Sequence, residues 1–334
     1  MTMYNEFFGL QRTPFNLTPD PEFLYLNAGH REALAGISYA ILARKGFVVL
    51  TGDAGTGKTT LLTRILGHLP PTRIQSSVIV NPTLTPPEFL EAALLDFGFR
   101  NIPVSKAQRI MILQEFLWKG NREGKISALV IDEAHKLSLE LLEEIRLLGN
   151  LESGGEKLLQ IVLVGQSELD ELLNREQLRQ LKQRIALRLA IEPLPAAEVE
   201  RYIRHRWIKA GGNEPPFTKD AIAYVAQVSK GVPRIVNLIS DNALLQAFGE
   251  NSVGVEARHV IGVCRDLRLV MTTNHRSAVE VPAPTAPGET ALVVPRASDG
   301  AMKTLERYSG VANKRSLISR LAAKLGFMQR METV

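Results

Sequence analysis

The chain has 334 residues, of which 45% are hydrophobic, and its formal net charge at pH 7 is +5. Such a chain can form one large or two smaller domains around a buried core. It contains no run of about 18 apolar residues and does not begin with the basic-then-apolar order of a signal peptide, so we expect neither a transmembrane helix nor a leader.

Residues 301–334 hold seven Lys/Arg and two Asp/Glu, which leaves the rest of the chain nearly neutral and argues against nucleic-acid binding by residues 1–300. The single cysteine, Cys264, excludes an internal disulfide and indicates a buried, inert thiol in a cytoplasmic protein.

The N-terminal segment, residues 4–27, is rich in aromatic residues and prolines. It is too irregular for a long helix and too apolar for a free tail, so we expect it to pack on the core. Its Phe15, Phe23 and Tyr25 are interpreted either as packing residues or as contacts to a nucleotide base. Apolar residues at helical spacing then predict a helix from His30 to Leu42.

A phosphate-binding loop follows the apolar strand predicted at Phe47–Leu50. The pattern Gly52-x-x-x-x-Gly57-Lys58-Thr59 lets backbone N–H groups turn inward around a β-phosphate. Lys58 is expected to reach the β/γ oxygens and Thr59 to bind Mg²⁺, while the helix that starts at Thr60 favours the same anion with its N-terminus. The residues expected to hold ATP are Gly52, Asp53, Ala54, Gly55, Thr56, Gly57, Lys58, Thr59 and Thr60. A glycine-rich turn that matches by chance would not need this strand and helix around it.

Strands and helices alternate after the loop. The predicted elements are a strand at 77–81, helices at 86–97 and 105–119, a strand at 128–132, a helix at 139–148, a strand at 160–165 and a fifth strand ending near 191. This alternation is typical of a parallel sheet covered by helices on both faces. Residues 151–157 are predicted to form a flexible loop.

Two acidic residues, Asp132 and Glu133, stand at the carboxyl end of the strand predicted at 128–132. A carboxylate at the carboxyl end of a central strand faces the phosphate loop, so Asp132 is expected to hold Mg²⁺ and Glu133 to accept a proton from the attacking water. The alternative is that both acids only cap the helix at 139–148. His135, the last residue of the letters DEAH, is interpreted as incidental.

Three further residues are predicted to contact the terminal phosphate. Gln166 ends the fourth strand, Arg184 precedes the fifth, and Arg234 lies in the first turn of a later helix, where a cation is unfavourable unless an anion faces it. The guanidinium of Arg184 suits a residue that reaches the phosphate of a neighbouring subunit. The alternatives are a helix-start role for Gln166 and plain solvation for the two arginines.

Helices alone are predicted after residue 195, at 197–210, 218–229, 233–248 and 255–267. We therefore expect a nucleotide-binding core with its N-terminal segment at 1–194 and a helical lid at 195–270. The proline-rich residues 271–300 are typical of a linker. Within the tail, 301–334, residues 314–330 combine an apolar stripe with basic residues, which favours an anionic membrane surface or a groove on a partner.

Seven segments together resemble one family over residues 4–265: FFGL, PFNLTPDPEFLYLN, GDAGTGKTT, LVIDEAHKLS, IVLVGQSEL, LKQRIALRL and SKGVPRIVN. In this order they are similar to the AAA+ ATPases of the ExeA (general secretion pathway protein A) type. The resemblance implies an α/β fold with five parallel strands in the order 5-1-4-3-2, a helical lid, and ATP hydrolysis between subunits of a homo-oligomer. It also implies Gln166 as sensor 1, Arg184 as arginine finger and Arg234 as sensor 2.

The resemblance carries two functional hypotheses. The first is an ATPase that assembles or regulates an envelope export system, acting with a protein of that machinery in the cytoplasm or peripherally at the inner membrane. Secretion members typically continue into a transmembrane helix and a peptidoglycan-binding domain, so this chain looks more like the shorter ATPases of exosortase and exopolysaccharide loci. The second is an ATP-dependent DNA-binding regulator that resembles the transposition ATPases. The near-neutral body favours the first, and the lack of an Asn-Lys-x-Asp box disfavours a GTPase.

Overall fold

A computed structural model describes residues 3–70, 72–80 and 82–269. The predicted linker at 271–300 and the basic tail at 301–334 lie outside these residues, as does the membrane-binding prediction for 314–330. The domain boundary near residue 194 stays a prediction. The described residues belong to one compact unit.

A five-stranded parallel sheet is the centre of this unit. Its strands are β1 (Phe47–Gly52), β2 (Ile74–Ile79), β3 (Ile126–Ile131), β6 (Leu159–Val164) and β7 (Ile185–Ile191), in the order β2-β3-β6-β1-β7. Every neighbouring pair is parallel. The predicted order 5-1-4-3-2 is therefore confirmed.

The burial pattern of the strands follows from their place in the sheet. β3 and β6 are central and every residue in them is buried, because helices cover both faces. β7 is an edge strand and alternates between half-buried and exposed residues. Its half-buried Leu187 and Leu189 pack on α2, where a Cβ added at Gly36 would lie 3.0 Å from both side chains.

Helices before and between the strands cover the two faces. They are α1 (Met3–Phe7), α2 (Ala28–Leu42), α3 (Lys58–His68), α4 (Pro86–Asp96), α5 (Lys106–Arg122), α6 (Leu139–Leu148), α7 (Glu168–Leu173) and α8 (Arg179–Lys182). Alternate residues of a strand point to opposite faces. Accordingly, Val49 and Leu129 join a core with α4, α5 and α6, whereas Val48 and Val130 join a second core with α2 and α3.

The predicted loop at 151–157 is instead a small antiparallel hairpin of β4 (Glu152–Ser153) and β5 (Glu156–Lys157). Gly154 and Gly155 join the two strands with φ angles of 61° and 81°. Two consecutive positive φ angles match the twist of a tight hairpin, and glycine adopts them without steric cost.

Four helices follow the sheet, as the sequence predicts: α9 (Ala196–Lys209), α10 (Lys219–Ser229), α11 (Pro233–Gly249) and α12 (Ala257–Asp266). They share a third core with the aromatic residues of the N-terminal segment. Phe15 and Phe23 are fully buried there, and Tyr25 meets the Tyr202 ring edge-on at 5.9 Å. Among the alternatives for these aromatic residues, packing agrees with the structure.

Candidate nucleotide-binding site

The loop between β1 and α3 has the backbone of a phosphate-binding loop. Gly55 and Gly57 have φ angles of 85° and 101°, which are left-handed and rarely adopted by other residues. Gly52 has a φ of 155°, and a Cβ there would lie 2.4 Å from the carbonyl oxygen of Ile191. The loop therefore requires glycine at Gly52 for space and at Gly55 and Gly57 for conformation.

Lys58 is the first residue of α3 and is only 6% exposed. Its ammonium group donates to the carbonyl oxygens of Gly52 and Asp53 at 2.7 and 2.9 Å. Burial lowers the pKa of Lys58, and the nearby carboxylate of Asp132 opposes that shift. This buried ammonium group is well placed to bind phosphate oxygens, because contact with an anion would compensate for the hydration that the ammonium group loses on burial.

Thr59 and Asp132 lie together at the carboxyl edge of the sheet. The Thr59 hydroxyl donates to Asp132 Oδ2 at 2.7 Å, and the backbone N–H of Glu133 donates to Asp132 Oδ1 at 2.9 Å. Asp132 is 3% exposed, and burial raises its pKa while these hydrogen bonds oppose the rise. A hydroxyl beside one buried carboxylate fits Mg²⁺, which binds proteins through few oxygen ligands and keeps water and phosphate as the others. Thr59 and Asp132 would hold that ion.

Glu133 follows directly and has a left-handed backbone, with φ of 56° and ψ of 33°. This conformation costs a non-glycine residue about 1–2 kcal/mol, and such strain is common at functional sites. The side chain is one-third exposed and pairs with Lys136 at 2.9 Å.

Gln166 is linked to Glu133 by the side chain of His135, which lies between them. Its backbone nitrogen is 3.3 Å from Nδ1 of His135, and its side-chain nitrogen is 3.4 Å from Nε2 of the same ring. The Nε2 atom is also 3.7 Å from Glu133 Oε2. His135, for which the sequence suggests no role, thus lies between two predicted site residues.

Comparisons with known proteins agree with this geometry. Residues 42–173 match the model of the AAA domain family. Over 254 residues the chain is 41% identical to General secretion pathway protein A of Aeromonas hydrophila, an alignment that covers 75% of this chain and 46% of that protein. The chain belongs to the AAA+ ATPases. It spans about half the length of this curated relative.

Solved structures support the same AAA+ fold. The ORC2 protein of Aeropyrum pernix, in its ADPNP–ADP complexes, has a TM-score of 0.59 and 18% identity, with 77% of this chain and 72% of that chain covered. For Cdc6p of Pyrobaculum aerophilum the TM-score is 0.57 and the identity 18%, with 74% and 70% covered. At these identities the likeness shows the fold alone.

Arg184 is not brought to the site of its own AAA+ core. It precedes β7, whose first residue, Ile185, pairs with Phe47, whereas its last, Ile191, pairs with Gly52 at the phosphate loop. A strand of this length rises about 20 Å. The Arg184 guanidinium instead donates to the carbonyl oxygen of Arg146 at 3.2 Å and to the side chain of Asn150.

Arg234, by contrast, lies against the phosphate loop. Its backbone N–H donates to the carbonyl oxygen of Gly55 at 3.2 Å. A Cβ added at Gly55 would lie 2.7 Å from the Cβ of Arg234, so a glycine is needed for this close approach. The first turn of α11 therefore touches the AAA+ loop directly.

His30 touches the same loop and is absent from the sequence-based site. Its Nε2 is 3.1 Å from the carbonyl oxygen of Thr56, its Nδ1 is 2.6 Å from Asn27 Oδ1, and only 2% of the residue is exposed. Burial lowers the pKa of His30, and the contact with Thr56 opposes that shift. The sequence signal is the cap: Asn27 also accepts from the His30 N–H and begins α2, which aims the ring at the loop. The hint in the sequence was a histidine three residues after a possible N-cap, and its burial was decided by the fold.

Among the described residues, none of the helices has both the length and the apolar character that a membrane span requires.

Proposed function

We propose that this AAA+ protein binds ATP with Mg²⁺ and hydrolyses it. The observation that carries the proposal is the contact between Thr59 and Asp132 at 2.7 Å, directly beside the buried Lys58 and next to Glu133. The loop N–H groups and Lys58 bind the phosphates, and Thr59 with Asp132 holds the metal ion. The ion, when bound, neutralises charge on the phosphate oxygens.

Glu133 is the proposed general base. It follows the metal-binding carboxylate in sequence, and its carboxylate is partly exposed, so water can reach it. It would orient the attacking water and take its proton. Gln166, at the end of the neighbouring strand, is proposed to contact the γ-phosphate, and Arg234 is proposed to reach it from the first turn of α11.

Hydrolysis is proposed to occur between subunits. Arg184 lies at the opposite edge of the sheet from its own phosphate loop, a strand length of about 20 Å away. This distance supports the proposal that its guanidinium serves the site of a neighbouring copy in a homo-oligomer. That arrangement makes turnover depend on assembly.

The assembled ATPase is proposed to organise or regulate an envelope secretion or exopolysaccharide export system through a protein of that machinery. The support is the 41% identity to General secretion pathway protein A. Because the chain spans 46% of that relative, the export role is a proposal about a shared ATPase part. Peripheral attachment to the inner membrane is proposed to reside in residues 314–330.

The decisive test of hydrolysis is Glu133→Gln. This variant should bind a fluorescent ATP analogue with the parent affinity and lose turnover by about 100-fold or more, because it lacks only the base. Glu140→Gln, an exposed acid in the first turn of α6, is the matched control and should turn over ATP at the parent rate. Parent turnover in Glu133→Gln would refute the assignment of the base.

A further inference from the structure

His135 occupies the space between the two strand ends that carry the proposed base and the proposed phosphate sensor. It lies on the short 3₁₀ turn Ala134–Lys136 after β3, and its side chain is 12% exposed. Its ring is 3.3–3.4 Å from the backbone and side-chain nitrogens of Gln166 and 3.7 Å from Glu133 Oε2. A Cβ at Gly165 would lie 3.2 Å from the His135 backbone nitrogen, so glycine permits this close approach.

The position of the ring proton follows from the partner of Nδ1. The backbone N–H of Gln166 can only donate, so Nδ1 of His135 accepts and the ring carries its proton on Nε2. That Nε2–H then needs an acceptor. The side-chain amide of Gln166 lies within hydrogen-bond distance, at 3.4 Å, and presents its oxygen to the ring when its O and N atoms are exchanged. The carboxylate of Glu133 lies just beyond that distance, at 3.7 Å.

The ring proton therefore has one acceptor in contact, on the proposed sensor, and a second one a small side-chain movement away, on the proposed base. We propose that His135 is a positioning residue that couples Gln166 to Glu133, an inference that rests on the proposed function. When the ring donates to the oxygen of the Gln166 amide, the NH₂ group of that amide is turned away from the ring and is free to donate to a phosphate oxygen. The Glu133 carboxylate then keeps only its pairing with Lys136 and can turn to water.

Substitutions at His135 test this coupling. His135→Leu removes both ring nitrogens and should lower kcat by about 10- to 100-fold, the range expected when catalytic groups lose their alignment. Its affinity for a fluorescent ATP analogue should stay within about threefold of the parent, since the loop and Lys58 are untouched. His135→Gln carries one acceptor and one donor at similar reach and should retain most of the rate. His135→Asn is too short to reach both partners and should behave like His135→Leu, which keeps the test informative if the leucine variant unfolds.

The matched control is His68→Leu. His68 is exposed at the last turn of α3, at the opposite end of that helix from the phosphate loop. This variant should turn over ATP at the parent rate. Thermal unfolding midpoints of all four variants show whether any loss of rate is only a loss of fold.

A double-mutant cycle gives the sharpest result. If His135 acts through Gln166, the double variant His135→Leu/Gln166→Leu should be no more than about threefold slower than the slower single variant. Rate losses that multiply would overturn the coupling, and so would a parent rate in both His135→Leu and His135→Asn. These outcomes are separate from failure of the proposed function, in which Glu133→Gln would itself hydrolyse ATP at the parent rate.

Discussion

Replacing Lys58 by methionine should separate nucleotide binding from stability. Methionine retains the length of the lysine stem but carries no charge. In the protein without nucleotide, the change removes two hydrogen bonds, to the carbonyl oxygens of Gly52 and Asp53. It also removes a buried cation whose lowered pKa shows that folding disfavours its charge. These effects oppose each other, so we expect the free energy of unfolding to change by no more than about 1 kcal/mol.

ATP binding should respond far more strongly. The ammonium group of Lys58 can give two charge-assisted hydrogen bonds to phosphate oxygens, each worth about 1.5–3 kcal/mol. A loss of about 3 kcal/mol of binding free energy raises the dissociation constant for ATP roughly 100-fold. The parent should therefore gain stability on adding ATP, whereas Lys58→Met should gain almost none at the same concentration.

The assay is chemical denaturation with and without ATP and Mg²⁺, together with titration of a fluorescent ATP analogue. Lys119→Met is the matched control, because Lys119 is exposed in the last turn of α5 and should leave both measurements unchanged. If Lys58→Met lost more than about 3 kcal/mol of stability without ATP, or bound ATP as the parent does, the reasoning on this buried cation would be refuted.

Four other predictions follow from the same physics. Burial raises the pKa of Asp132, so the folded chain keeps a proton that the unfolded chain loses near pH 4; stability without metal should fall as the pH rises through the folded-state pKa. In denaturation series at different pH with EDTA present, the stability of Asp132→Asn should not show this decrease. Parallel stability profiles for parent and variant would contradict the raised pKa of Asp132. Burial raises the pKa of Cys264 to about 11, so the native thiol should resist alkylation at pH 8 and react only after unfolding, as mass spectrometry would record. Arg184→Ala subunits mixed with Glu133→Gln subunits should recover part of the ATPase rate, and no recovery at any ratio in co-assembled oligomers would exclude an inter-subunit finger. Deleting residues 314–330 should abolish flotation with anionic vesicles at low salt and leave turnover unchanged, whereas equal flotation would locate membrane binding elsewhere.

Much of the nucleotide site could be predicted from the sequence, since its parts are local. Gly52 to Thr59 are contiguous, and their spacing alone requires a loop that turns its N–H groups inward. The strand that precedes this loop and the alternation of later strands and helices fix the carboxyl edge of a parallel sheet as the place where Asp132 and Gln166 meet it. The strand order itself came from the resemblance to a family, and the structure confirms it.

The contacts that link distant parts of the chain were decided by tertiary structure. His30 meets Thr56 across 26 positions and His135 meets Gln166 across 31, and neither pair has a periodic or spaced signal. Periodicity reports which face of an element is buried, but only packing determines which residue of another element lies opposite. For that reason the sequence predicted the phosphate loop and both acids, whereas the histidines that touch them became visible only in the folded chain.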